Sequence, residues 1–387
     1  MRLIQFIVFF GIVTVVYTLV NFYIFSRGLR TFAPGSNLRT YYTIGFWLLA
    51  STFILGRVFE KVYLSLFSDA FVWVGSFWLA AMLYFFLIVF FIDILRLANH
   101  FFPFFHLLKD TFIMKSPHLL TMGVATLVFF VILAGHFNAL IPRIHHLDIQ
   151  TGLKATDRKE LRIVMASDIH LGTIISTRRV TKMVEKINAQ KPDVILFPGD
   201  IVDEDLAPVI RQNLGAYLKK LNAPLGIIGS TGNHEYIGGA NSAVSYLRQH
   251  GLVMLRDTMM QLTENIYVAG RDDIESNRFA GEQRKSLKAI TTNRPEGSFL
   301  IVLDHQPRAI PEAVENKANL VLSGHTHHGQ MWPLNYITQA AFPVSWGHKL
   351  FDKTHVYVSS GLGSWGPPVR IGNRPEIVVI TLHFDED

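Results

Sequence analysis

LRIVMASDIH, residues 161–170, is an apolar, strand-like run that stops at two side chains able to hold a cation, Asp168 and His170. The arrangement recurs downstream: DVILFP precedes Gly199-Asp200, LGIIGS precedes Gly232-Asn233-His234-Glu235, FLIVLD precedes His305, and NLVLSG runs into Gly324-His325-Thr326-His327. Short apolar runs closed by turn residues have the pattern of buried strands. In open α/β sheets the carboxyl ends of strands are where ligands bind. The sequence therefore predicts five strand ends converging on one sheet edge, with their polar side chains meeting in space.

The residue types suit one chemistry. Two divalent ions held roughly 3.5–4 Å apart need a bridging anion and hard or borderline donors, and together they lower the pKa of a shared water toward about 7. Asp200 is the expected bridge. Asp168, His170 and His327 would complete one ion's set, and Asn233, His305 and His325 the other's. His234 is left over beside Asn233 and is expected to act as the general acid that protonates a leaving oxygen. Taken singly, Asp-x-His or Gly-Asp at a strand end reads as a helix cap or turn, and a histidine pair is unremarkable among 16 histidines. All eight positions being donor-competent, each after an apolar run, is not a cap pattern.

In these motifs the chain resembles the calcineurin-like metallophosphoesterase superfamily, whose pattern is D-x-H, G-D, G-N-H-[DE], H, G-H-x-H. The resemblance covers about residues 160–387. Within the superfamily, Gly324-His325-Thr326-His327-His328-Gly329-Gln330 is similar to a membrane-associated branch with a G-H-T-H-G-G-Q signature, departing from it at His328. Gly361-Leu362-Gly363 and Arg374-Pro375-Glu376-Ile377 share that branch's tail. Serine/threonine protein phosphatases of the superfamily carry an x-x-D-R-G run after G-D, whereas this chain reads Ile201-Val202-Asp203-Glu204-Asp205. The phosphate-gripping arginine is missing, and the acids read as a solvated capping cluster. The implied fold is a two-sheet α/β/β/α sandwich. Amphipathic stretches at 177–190 and 208–221 alternate with the strands, Ser176-Thr177 offers a helix start, and the strand-rich stretches 252–303 and 355–384 suit the second sheet.

The first 150 residues read differently. Nearly uncharged apolar runs lie at 4–25, 41–55, 70–97 and 119–141, and about 20 such residues span a bilayer. These are four expected transmembrane helices; the second is short, with Arg57, Glu60 and Lys61 suggesting an amphipathic continuation along the membrane surface. The first run is too long for a cleavable signal and lacks a cleavage site. Tyr23, Trp73 and Trp78, and Phe101, Phe102, Phe104 and Phe105 around Pro103, read as interface aromatics. The expected organisation is a transmembrane region at 1–145, a linker at 146–160 and a catalytic domain at 161–387. The apolar loop 336–351, with Phe342, Trp346, Leu350 and Phe351, is expected either to face substrate or membrane or to pack.

Half of the chain is hydrophobic and 17% charged, with mean hydropathy +0.28 and net charge +6. Four spans put both termini on one side. The catalytic side then carries Arg2, Arg57, Lys61, Arg143, Lys154, Arg158, Lys159 and Arg162, and the other Arg27, Arg30, Arg39, Arg96, Lys109 and Lys115. That eight-to-six excess favours a cytoplasmic catalytic domain, and the positive charge suits an anionic bilayer. No basic stripe with interleaved aromatics points to nucleic acid. Cysteine is absent, so metals must be held by oxygen and nitrogen, with manganese, iron and zinc all compatible. The sequence implies a membrane-bound hydrolase of a phosphodiester or pyrophosphate. The substrate is expected to be lipid-linked; the resemblance offers UDP-2,3-diacylglucosamine or a phospholipid diester. The alternatives are an inactive phosphoesterase fold with a binding or sensory role, and action on a soluble nucleotide.

Overall fold

The computed structural model describes residues 2–102, 117–154 and 158–385. The chain divides into two compact units, Met1–His136 and Phe137–Asp387.

The first unit is helical. It comprises α1 (Arg2–Leu29), α2 (Asn37–Val62), α3 (Leu66–Phe101) and most of α4 (Pro117–Ala139). All four helices are long and apolar enough to cross a membrane. Serine caps start two of them: Ser36 Oγ accepts from Arg39 N, and Ser65 forms a capping box with Ser68, satisfying amides that the first turn leaves free. Buried polar contacts tie these helices together. Trp78 Nε1 donates to Asn21 Oδ1 at 3.0 Å, and Tyr17 OH donates to the Ala50 carbonyl at 2.6 Å; in hydrocarbon, such groups are held by partners on neighbouring helices. Trp78 is thus a packing residue rather than an interface anchor. The residues past Leu55, expected as an amphipathic continuation along the membrane surface, do not form a separate segment. Instead α2 runs unbroken to Val62, with Glu60 buried and 3.3 Å from Arg57 one turn earlier. Phe101 and Phe102 are exposed; Phe104 and Phe105 lie outside the described residues.

The second unit contains two six-stranded sheets. The first orders β1 (Arg143–Lys154), β12 (Glu376–Asp385), β2 (Glu160–Met165), β3 (Val194–Pro198), β4 (Ile227–Ser230) and β5 (Val253–Met254). The second orders β10 (Gly347–Phe351), β11 (Thr354–Val358), β9 (Leu320–Ser323), β8 (Phe299–Leu303), β7 (Ile266–Gly270) and β6 (Thr258–Thr263). Strands β2 to β5 run parallel, as do β7, β8, β9 and β11. Their near-continuous apolar sequences follow from burial on both faces. Ile163, Leu196 and Ile228 of the first sheet share one core with Val268, Ile301 and Leu322 of the second. One residue along, Leu300, Val302 and Val321 point the other way and pack with Leu287, Ile310 and Ala313, as the two-residue period of a strand requires. This is the α/β two-sheet sandwich expected.

Four details depart from the sequence reading. The five strand ends lie on two sheets, β2, β3 and β4 in one and β8 and β9 in the other, rather than on one edge. The stretch expected as a linker carries β1, which pairs in parallel with β12 from Arg143↔Glu376 to Gln150↔His383, and residues 137–145 group with the sandwich. The C-terminal strand β12 returns to the first sheet, antiparallel to β2, instead of joining the second. Of the two expected helices, α5 (Thr177–Asn188) forms, buries Val180, Met183, Val184 and Ile187, and starts at Ser176 without a side-chain cap bond. The other breaks into Leu206–Arg211 and Gly215–Leu218, with Asn213 at φ +51° between them, a conformation asparagine tolerates.

Candidate metal centre

Where each parallel strand ends, the chain turns sharply and presents its motif side chains. Asp168, His170, Asp200, His325 and His327 all have positive φ, between 45° and 70°. Such backbone costs energy for a residue with a Cβ and gathers at functional sites, where the surrounding fold enforces it. The motif glycines provide the room. A Cβ on Gly324 would fall 1.8 Å from Ser167 Oγ and 2.2 Å from Asp168 Oδ2; one on Gly199, itself at φ +81°, would fall 2.5 Å from His305 Nδ1.

The eight residues singled out in the sequence come together in two neighbouring groups. In one, His170 Nε2 lies 3.0 Å from His327 Nε2, which lies 3.4 Å from Asp168 Oδ1. In the other, Asn233 Oδ1 is 2.8 Å from His325 Nδ1 and 3.2 Å from His305 Nε2, and His305 Nε2 is 3.0 Å from Asp200 Oδ2. Asp200 Oδ2 also lies 3.9 Å from His170 Nε2, so its carboxylate stands between the groups. His234 donates its backbone N–H to Asp200 Oδ1 at 2.9 Å, and its ring centre is 4.6 Å from that of His170.

The donor chemistry fits divalent ions. Asp168, His170, Asp200 and His305 are almost completely buried, and two imidazole Nε2 atoms facing each other at 3.0 Å suit lone pairs turned toward a shared cation. His305 Nδ1 sits 2.9 Å from the Pro198 carbonyl, which fixes the tautomer that leaves Nε2 free to coordinate. Burial pushes His325 down to about 3 and, with the charge of Arg370, holds His327 well below the ordinary range, so both stay neutral donors. Burial opposes ionisation of Asp200, but His305 and His234 outweigh it and keep it a carboxylate. Burial would likewise lower His234, yet Asp200 and Asp203 raise it to about 9.

Several residues here were not legible as site residues. Asp203, read as a solvated cap, has Oδ1 3.0 Å from His234 Nδ1 and 3.6 Å from His170 Nδ1, bracing both rings from behind. Only Asp205 of that cluster caps a helix. Glu235 spans the motif turns: Oε2 accepts from Asp200 N at 3.1 Å and Gly232 N at 2.7 Å, and Oε1 from Val202 N at 2.9 Å. Arg370 is fully buried, with Nη2 3.2 Å from His327 Nδ1, and donates to the carbonyls of Ser360 and Gly363 at 2.6 and 2.8 Å. The tail run it braces packs on the first motif, since Leu362 N and Gly363 N each donate at 2.8 Å to the Ser167 and Asp168 carbonyls. His328 adopts φ +46°, the conformation that favours glycine there, with Nδ1 3.1 Å from Ser345 Oγ. At the rim, the Trp365 ring is 6.0 Å from His234, the Phe342 ring 5.6 Å from His325, and the Arg308 guanidinium 4.5 Å from the Phe342 ring.

Residues 161–329 match the calcineurin-like phosphoesterase family. An uncharacterised metallophosphoesterase of Aquifex aeolicus is 32% identical over 253 residues, 64% of this chain and 94% of that protein. One from Campylobacter jejuni is 32% identical over 272 residues, covering 67% and 69%. The chain belongs to the calcineurin-like metallophosphoesterase family. A zebrafish (Danio rerio) relative described as a transmembrane protein with metallophosphoesterase domain is 32% identical over 256 residues, 62% of this chain and 57% of that protein.

Proposed function

We propose that this chain is a membrane-anchored, two-metal phosphoesterase of the branch marked by its GHTHxGQ run, and that it hydrolyses a phosphodiester or pyrophosphate bond in a lipid-linked substrate. The observation that carries the reading is the pair of buried donor groups flanking Asp200. In this reading Asp168, His170 and His327 would hold one ion and Asn233, His305 and His325 the other, with the Asp200 carboxylate shared between the two groups. Two divalent ions there, manganese, iron or zinc, would supply an acidified water and positive charge for the phosphoryl oxygens.

The rest falls to the chain's own residues. His234 stands at the edge of the donor groups, protonated through Asp200 and Asp203, and delivers its proton to the leaving oxygen. Asp203 holds that ring and the His170 ring in orientation. Arg308, Phe342 and Trp365 line the approach, with a cation for a phosphate and apolar faces for the group it bears. Trp332, Tyr336, Ile337, Trp346 and Leu350, each 43–65% exposed, follow the last motif closely in sequence. An apolar surface of that kind favours the lipid-linked reading over a soluble nucleotide. The completeness of the donor set favours an active enzyme over an inactive binding fold. The apolar helices are taken to anchor the chain and the sandwich, β1 included, to carry catalysis, and the lysine and arginine excess favours the cytoplasmic side for it.

The test uses purified full-length protein reconstituted in vesicles. Hydrolysis of UDP-2,3-diacylglucosamine and of phospholipid diesters is compared with that of soluble nucleotides. Turnover confined to soluble phosphoesters overturns the lipid assignment.

A further inference from the structure

Within the first unit, the end of α1, the first half of α2, α3 from Trp78 onward and the start of α4 line a half-open cavity of about 380 Å³. That is within the range of ligand pockets, about 300–1,000 Å³. Its walls are mainly apolar, with Phe46, Trp78 and Phe85 among them, but one part is charged. There Asp93 Oδ2 lies 2.8 Å from Arg27 Nε and accepts from Tyr23 OH at 2.6 Å, while Asp93 Oδ1 lies 3.4 Å from Arg96 Nη1. One carboxylate meets two guanidinium groups, so this cluster carries one net positive charge among the described residues. Arg27 stands two residues before the end of α1 and Arg96 five before the end of α3. Charges so close to helix ends reach headgroup depth, whereas Phe46, Trp78 and Phe85 lie further along their helices. A net cation at headgroup depth beside an apolar wall complements an anion joined to an apolar chain, which satisfies both parts of the cavity.

We propose that this cavity is a binding site for one anionic phospholipid, its phosphate against Arg27 and Arg96 and an acyl chain along the Phe46 and Phe85 walls. The site lies wholly among the spans and is tested by binding without turnover, so it stands or falls apart from the catalytic reading.

Full-length protein in detergent is offered equimolar phosphatidylglycerol and phosphatidylcholine with identical chains, and retained lipid is counted by native mass spectrometry. The expected result is one phosphatidylglycerol per chain, favoured about tenfold or more. Arg96→Gln leaves the Arg27–Asp93 pair intact but makes the cluster neutral; Arg96 is 58% exposed, so the fold tolerates the change and the preference falls to near unity. Gly45 lines the cavity, and a Cβ there meets nothing within 4 Å, so Gly45→Phe fills the space and expels both lipids. Equal retention of the two lipids by the unsubstituted chain overturns the proposal and needs no variant. Undiminished preference in Arg96→Gln or undiminished retention in Gly45→Phe does the same. So does complete displacement of phosphatidylglycerol by millimolar inorganic phosphate, which marks an anion site with no use for the chain.

Discussion

Replacing His234 by alanine should separate proton delivery from metal binding. Asp200 Oδ1 is held by the backbone N–H of residue 234 at 2.9 Å, and that bond survives the substitution. Metal content should therefore stay near that of the unsubstituted protein. What disappears is a ring with Nδ1 3.0 Å from Asp203 and a pKa of about 9. General acid catalysis contributes about 10²–10⁴ in rate, or ~2.7–5.4 kcal/mol of barrier. Alkyl phosphodiesters should be slowed by that factor, and nitrophenyl esters, whose leaving group needs no proton, by less than about tenfold. The pH dependence carries the same signature. A raised pKa keeps the acid form present below it, so the rate with a poor leaving group holds a plateau and falls as pH rises through the His234 value. Two bound divalent cations would bring that limb below 9, and the variant should lack it. Steady-state rates on both ester classes from pH 6 to 10, with metal analysis, decide the matter. Equal loss on both classes, or a halved metal content, would refute the role.

Asp203→Asn removes the carboxylate behind His234 and should move the alkaline limb down by about 1–3 pH units while metals stay bound; an unmoved limb contradicts the bracing role. Arg370→Gln takes a buried guanidinium from the Ser360 and Gly363 carbonyls and from His327, and should lower the melting temperature and release the ion of the Asp168 group first, seen as about one metal lost per chain. A chain starting at Ala139 keeps β1, whereas one starting at Thr151 leaves the β12 edge unpaired and should aggregate; equal solubility of the two would show β1 to be dispensable. The Ala139 form should match full-length rates on a nitrophenyl diester and fall far behind on a lipid in vesicles, and equal lipid rates would remove any role of the spans in substrate capture.

The donor residues were legible because the chemistry restricts both their types and their place at strand ends. Sheet partnership was not. Apolar periodicity says that 161–165 and 299–303 are strands, but nothing local says that β8 belongs to a second sheet or that β12 crosses back to pair with β2. Strand β1 was hidden for a physical reason. It is an edge strand, and RIHHLDIQTGLK buries only Ile149 fully, so its composition resembles that of a solvated connector. Arg370 and Asp203 were missed because an arginine or an acid in a polar run reads as surface until the fold buries it. Trp78 had the composition of an interface anchor, and only the presence of Asn21 opposite it makes it a packing residue.

The most direct measurement of the central claim is the metal content of purified full-length protein set beside its activity on a nitrophenyl phosphodiester, before and after chelation, for the unsubstituted chain and for Asp200→Asn. Two divalent ions per chain are expected, with hydrolysis abolished by chelation and restored by added manganese, iron or zinc, and with loss of both ions and activity in Asp200→Asn. Hydrolysis that persists in metal-free protein, or an Asp200→Asn chain that keeps two tightly bound ions, would contradict it.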